Sequence, residues 1–257
     1  VLAAGALGTP QLLLASGLEE RIPTGHAVGR YLTRHCASIV FGCYRRLPDE
    51  GRLFHKQLGF NDFYFGDPRG RAPGGKLGNI QQVQSPSRGT VRTALPRPIP
   101  WLLGPLLRRA TGLLVLAEDQ PRRENHVELD HRERDRFGLP RLVVRHAYSD
   151  RDLRARAALA DRAREIHAEG GAIFCYEHRI DTFSHALGTV RMGDDEDGDP
   201  LTPEGRYRGL ENLWVADGSA FPTSAGVNPS LTIAAVGHHV GAGVAREAGR
   251  PAAPARG

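Results

Sequence analysis

Hydrophobic positions along this chain follow two rhythms, and the change between them divides it. A short apolar run at 1–4 ends at Gly5, and Thr9-Pro10 then opens an apolar segment at 11–16 that Gly17 closes. This predicts a strand, a turn and a helix. Thr9 has the oxygen an N-cap needs, Pro10 suits the first helical position, and Gly17 suits the left-handed residue after the last turn. From 33 to 182 β-branched and aromatic runs are broken by Gly and Pro, at 38–44, 60–65, 77–83, 113–117, 126–129 and 142–146. Runs of that kind predict strands of a mostly antiparallel sheet. The stretch 95–105, with four prolines and Trp101, predicts an irregular loop or short helical turn.

Two stretches return to helical spacing. Over 150–170, Leu153, Ala157, Ala160, Ala163 and Ile166 alternate with charges before Gly170-Gly171, which predicts one amphipathic helix. After Asn228-Pro229, the positions Ile233, Val236, Val240 and Val244 lie three to four apart, and Gly237, Gly241 and Ala245 form a small-residue stripe suited to close packing. Pro229 is expected in the first turn, with Asn228 as its cap. An acidic surface turn is expected at 194–199, and a frayed Pro/Ala-rich tail at 250–257.

Composition changes this picture little. The 257 residues are 40% hydrophobic and 25% charged, within the globular range, and no apolar run is long enough to span a bilayer. The 34 cations are interleaved with 29 anions. That pattern predicts a solvated basic surface and no nucleic-acid partner. Cys36, Cys43 and Cys175 make neither a paired framework nor a zinc pattern, so no metal site is expected and a reducing, cytoplasmic setting is the default. Cys175 and His178 have no second ligand pair. No Gly-x-Ser-x-Gly elbow occurs, which argues against a serine hydrolase of the α/β type.

Three segments carry candidate chemistry. The strand-like run 213–216 ends in Asp217-Gly218-Ser219, which is either an ordinary turn or a place where a backbone approaches a phosphate. The helix start at Asn228-Pro229 offers unpaired N–H groups and partial positive charge to a group that becomes anionic beside it, unless Asn228 merely caps. His185, in the run 183–193, is either structural or a base able to take a hydroxyl proton near neutral pH.

Taken together, VLAAGALGTPQLLLASG, HALGTVRMG and NLWVADGSAFPTSAGVNPSLTIAA, in that order, resemble the glucose-methanol-choline (GMC) family of FAD-dependent oxidoreductases. The middle of the chain resembles more loosely the bacterial sugar and gluconate dehydrogenase and pyranose oxidase-like branch. The resemblance implies FAD as cofactor, with Ala4 and Gly5 at its adenine end, Asp217 and Gly218 near the pyrophosphate and ribityl region, and Asn228, Pro229 and Ser230 at the flavin ring. It implies His185 as general base and Asn228 as its partner, with hydride transfer from an alcohol, a sugar or polyol CH–OH group, to flavin N5.

The fold class expected is α+β with an α/β part. A partial FAD-binding (Rossmann-like) domain lacks its N-terminal βαβ unit, and a substrate domain has a mostly antiparallel sheet flanked by helices. The FAD-binding parts are expected at 1–32 and 183–249, and the substrate domain at 33–182. The G-x-G-x-x-G turn that opens such proteins does not occur here. The chain is therefore read as a fragment, inactive alone, or as one half of a two-chain enzyme. Tyr44, Tyr64, Phe65, Gln81, Gln82 and Trp101 are compatible with a sugar, and an apolar alcohol is the alternative substrate. The electron acceptor is left open among dioxygen, a quinone and a haem protein. A silent remnant serving as a binding module is the competing reading.

Overall fold

The computed structural model describes residues 1–46, 56–70, 72–84 and 107–249. The expected loop at 95–105 with Trp101, and the tail at 250–257, lie outside the described residues.

A five-stranded sheet forms the larger half: β1 (Cys36–Tyr44), β2 (Gly59–Phe60), β3 (Gly78–Gln84), β4 (Ala110–Ala117) and β7 (Ala172–Arg179). Its order is β2-β3-β4-β1-β7, and every neighbouring pair is antiparallel, as the runs broken by Gly and Pro predict. A separate hairpin joins β5 (His126–Arg134) to β6 (Pro140–Arg145). Helix α2 (Asp150–Glu169) packs against β1, β3, β4 and β7. Val40, Ile80, Leu113 and Val115 of the sheet meet Ala155, Leu159, Ala160 and Ala163 of this helix in one buried cluster.

The structure corrects several expectations. The buried face of α2 is 152, 155, 159, 160, 162, 163 and 167, whereas Leu153 and Ala157 are exposed. Two charged side chains disguise that face. Asp152 closes a capping box with Ser149, and Arg162 pairs with Asp67 and Glu165. The run 60–65 is strand only at its start. Tyr64 N donates to Asn61 O at 2.9 Å, which closes a turn that Gly66 leaves at φ 135°. Strand β7 was not foreseen because it is an edge strand with Ile173, Phe174 and Tyr176 exposed, so its burial does not alternate.

Cys175 and His178 both lie on β7, and an odd separation places them on opposite faces of a pleated strand. They cannot share a ligand. Among the described residues no helix is long and apolar enough to cross a membrane.

The smaller half gathers the two ends of the chain. Leu2 pairs in parallel with Val215, Leu2 N donating to Trp214 O at 2.7 Å and Ala216 N to Leu2 O at 2.9 Å. Leu13, Val190, Leu201, Tyr207 and Val215 close a second core beneath. Helix α1 (Gly5–Ala15) starts five residues ahead of the expected position, and Thr9 and Pro10 are inside it. Its start is set by a distant side chain, because Gly5 N donates to Asp217 Oδ2 at 3.0 Å. Gly17 adopts φ 61°, as expected of a residue that ends a helix.

Helix α3 (Ser230–Glu247) is capped at Pro229, one residue later than predicted, with no side-chain capping bond. The expected stripe packs only in part: a Cβ on Gly237 would meet Ala216 O at 3.8 Å, whereas Gly241 faces open space and Gly243 lies against the Trp214 ring.

Candidate active site

Main-chain bonds lace the three recognised blocks into one lattice. Gly188 N donates to Gly218 O at 3.0 Å, Val190 N to Ser219 O at 2.8 Å, and Met192 N to Ala220 O at 2.9 Å. On the other edge of the 187–192 strip, Thr33 and Leu187 exchange two N–H to O bonds of 3.0 Å each. Continuing that antiparallel register by two residues sets His35 opposite His185.

The two imidazoles meet there. His185 Nδ1 lies 2.9 Å from His35 Nδ1, and the rings stand edge to face at 4.8 Å between centroids. His185 has φ 55°, a left-handed conformation that costs a residue with a Cβ about 1–2 kcal/mol. His35 is buried, and its Nε2 lies 3.3 Å from Ser224 O.

Burial holds His35 well below the usual imidazole range, at about 4, and repulsion from His185 adds to that effect while the Ser224 carbonyl opposes it. His185, half-buried, is also lowered, first by desolvation and then by the positive charge of Lys56. Both groups are therefore neutral near pH 7, and a neutral imidazole is what proton acceptance needs. Gln81 Oε1 accepts from Lys56 Nζ at 2.8 Å and so holds that charge in place.

The loop from Phe221 to Pro229 is braced from below. Ser224 Oγ accepts from Asp119 N at 3.1 Å, and Asp119 Oδ2 in turn accepts from Arg34 N at 2.8 Å and lies 2.7 Å from His146 Nε2. Burial raises the Asp119 carboxyl, with the His146 contact opposing. Tyr64 Oη accepts from Gly226 N at 3.3 Å. Gly226 also touches the sheet so closely that a Cβ there would lie 2.3 Å from Gly78 Cα.

The expected site residues are distributed as follows. Asn228 is half-buried ahead of α3, and since no side chain caps that helix its amide is not used for capping. Pro229 is buried and Ser230 exposed at the helix start. Ala4 is exposed, and Gly5 (φ 77°) is bonded to Asp217. Gly218 is tightly covered: a Cβ on it would meet Leu187 Cδ2 at 2.7 Å and Ile233 Cδ1 at 3.4 Å. Its lack of a side chain lets α3 approach the strip. Pro229, Thr232 and Val236 line a cleft of about 180 Å³ with Met192 and Phe221.

Three contributors had not been singled out from the sequence: His35, Lys56 and Ser224. No local signal marks them, because each acts through a partner more than a hundred residues away in the chain. Tyr44, by contrast, is committed to packing, its hydroxyl 2.7 Å from His167 Nδ1.

The model of the GMC oxidoreductase family matches residues 121–237, the stretch holding the His185 strip, the Asp217-Gly218 turn and the start of α3. Over that stretch the chain matches the GMC oxidoreductases. The chain is 29% identical to a C-glycoside 3-oxidase of Arthrobacter globiformis, over 92% of its own length and 44% of the relative's. It is 27% identical to a 2-methyl-1,2-propanediol dehydrogenase of Mycolicibacterium austroafricanum, over 96% and 47%. The chain thus spans about half the length of the curated relatives it matches. In fold it is similar to pyridoxine 4-oxidase from Mesorbium loti, with a TM-score of 0.63 at 21% identity, covering 93% of this chain and 50% of that one. In fold it is also similar to an FAD-containing formate oxidase of Aspergillus oryzae, with a TM-score of 0.65 at 16% identity, covering 96% of this chain and 54% of that one.

Proposed function

We propose that this chain forms the substrate-facing part of an FAD-dependent oxidoreductase acting on the CH–OH group of a sugar or polyol, with His185 as general base and Asn228 as its partner. The observation that carries this reading is the neutral, half-buried imidazole of His185, held at φ 55° on a strip that is fixed along both edges. A non-glycine residue at positive φ persists where its surroundings impose it, and such residues concentrate at functional sites.

The residues at the start of α3 fit the cofactor. The first-turn N–H groups have no side-chain cap, Leu231 is 84% exposed beside them, and the neighbouring cleft is largely apolar in lining. A helix terminus of this kind favours a ring system that gains negative charge. Asn228, Pro229 and Ser230 would hold the ring edge, and FAD when bound supplies the acceptor, at N5, for the hydrogen that leaves the carbinol carbon with its electron pair.

The protein's own steps are two. His185 takes the hydroxyl proton, and the Asn228 amide donates a hydrogen bond to the oxygen as negative charge grows on it. Tyr64, Gln81 and Lys56 give the approach to His185 the polar character suited to a hydroxylated substrate. The names of the two relatives, one for C-glycosides and one for a diol, support the same substrate class.

The test is anaerobic bleaching of the flavin absorbance in the full-length enzyme. His185→Ala is expected to slow it by about 10²- to 10⁴-fold with a sugar or polyol. An unslowed variant would overturn the role of His185, and bleaching by apolar alcohols alone would overturn the substrate class.

A further inference from the structure

We propose that His35 is a positioning residue for His185: its bare Nδ1 accepts a hydrogen bond from the Nδ1–H of His185 and so leaves Nε2 of His185 as the lone pair that meets the substrate hydroxyl. For the substrate's part this rests on the function proposed above.

The assignment follows from counting donors along one chain of contacts. Ser224 O can only accept, and it faces His35 Nε2 at 3.3 Å, so the single proton of a neutral His35 sits on Nε2. His35 Nδ1 is then without hydrogen. It lies 2.9 Å from His185 Nδ1, a distance at which one nitrogen must donate and the other accept. The donor is therefore His185, whose proton is on Nδ1 and whose Nε2 is free.

A neutral imidazole thus does for His185 what a carboxylate does for the histidine of a serine protease: it selects the tautomer and the ring orientation. One difference matters chemically. When His185 accepts a proton at Nε2 it keeps its Nδ1–H, so the bond to His35 survives the step, yet among the described residues no carboxylate is hydrogen-bonded to either ring to trap the imidazolium. The base can release its proton again. The requirement is that His35 remain neutral, and the groups around it supply that: the wall formed by Ser224 and the 33–187 bridge is uncharged, and the charged Asp119 is turned toward Arg34 N and His146.

The tautomer can be read directly. In the flavin-loaded, full-length enzyme labelled with ¹⁵N-histidine, long-range ¹H–¹⁵N correlations of His185, assigned by their loss in His185→Ala, are expected to show a protonated Nδ1 and a bare Nε2. His35→Leu removes the acceptor, and the His185 signals are expected to move toward the Nε2–H form. His35→Asn, which sets an amide oxygen near the former Nδ1, is expected to restore the Nδ1–H form. In parallel, kcat should fall by at least about tenfold in His35→Leu with KM little changed, and recover in His35→Asn. A wild-type His185 protonated on Nε2, or a tautomer that His35→Leu leaves unchanged, would overturn the proposal. Should His35→Leu not fold, the wild-type and His35→Asn spectra decide the matter alone. The tautomer is a property of the pair, so it stands or falls separately from the His185→Ala kinetics that test the function.

Discussion

Thr9 and Asp217, 208 positions apart, share a 2.5 Å hydrogen bond in which the threonine hydroxyl donates to carboxylate Oδ2. The same oxygen accepts from Gly5 N at 3.0 Å, while Oδ1 accepts from Ser219 N at 2.7 Å. One buried carboxylate therefore ties the start of α1 to the turn after residue 216. Hydrogen bonds to a charged partner are worth about 1.5–3 kcal/mol. Thr9→Val is expected to cost an amount in that range in urea unfolding, and Thr9→Ser, which keeps the hydroxyl, clearly less. Equal losses would mean that the methyl group and not the bond is what matters.

Gly226 and Gly78 let the loop that precedes Asn228 lie directly on the sheet. A Cβ on Gly226 would sit 2.3 Å from backbone, which is overpacking worth about 1–3 kcal/mol. At Gly78 the clash is with Leu116 O at 1.9 Å, and φ 142° adds strain of about 1–3 kcal/mol. Gly226→Ala is expected to lower kcat as well as stability, because the loop it displaces carries the Ser224 carbonyl that fixes His35. A variant with unaltered kcat would show that the loop absorbs the methyl elsewhere.

Stability should fall on acidification, with His35 as one named cause. Its imidazole accepts a proton near 6.5 when unfolded and near 4 when folded, so the unfolded chain binds more protons between those values. The contribution is complete above pH 6.5 and is lost as pH falls toward 4, by up to about 3 kcal/mol. His167, lowered by burial, acts in the same direction. Subtracting the curve for His35→Asn from that of the wild type should isolate the first term. A difference that is flat with pH would contradict the burial assigned to His35.

If His185 is the base proposed above, Lys56 adds to burial in setting where activity begins on the acid side. Its charge disfavours a second proton on His185, so the base stays neutral to lower pH. Lys56→Met is expected to shift the acid limb of the kcat/KM profile upward, with the Gln81 side chain losing its partner. A limb that stays in place would remove Lys56 from the site.

The sequence made the sheet and the blocks visible because each is a local pattern: apolar runs bounded by Gly and Pro for β1, β3 and β4, and contiguous motifs around His185, Asp217 and Asn228. What escaped was set by distant partners. The start of α1 depends on Asp217, the buried face of α2 includes Arg162 only because Asp67 and Glu165 answer its charge, and β7 is exposed along an edge. His35 had no signature at all. A histidine ahead of a strand is unremarkable until the Thr33–Leu187 bridge sets it opposite His185.

That bridge and the three bonds from Gly188, Val190 and Met192 also bear on how the protein can be reshaped. Because main-chain groups hold the strip on both sides, side-chain changes along it will leave its course largely as it is, and the imidazole of His185 inherits a fixed anchorage. On the proposed function, diversity aimed at new alcohols belongs around Lys56, at positions such as Tyr64 and Gln81, where a library can change the surroundings without unsettling the histidine pair.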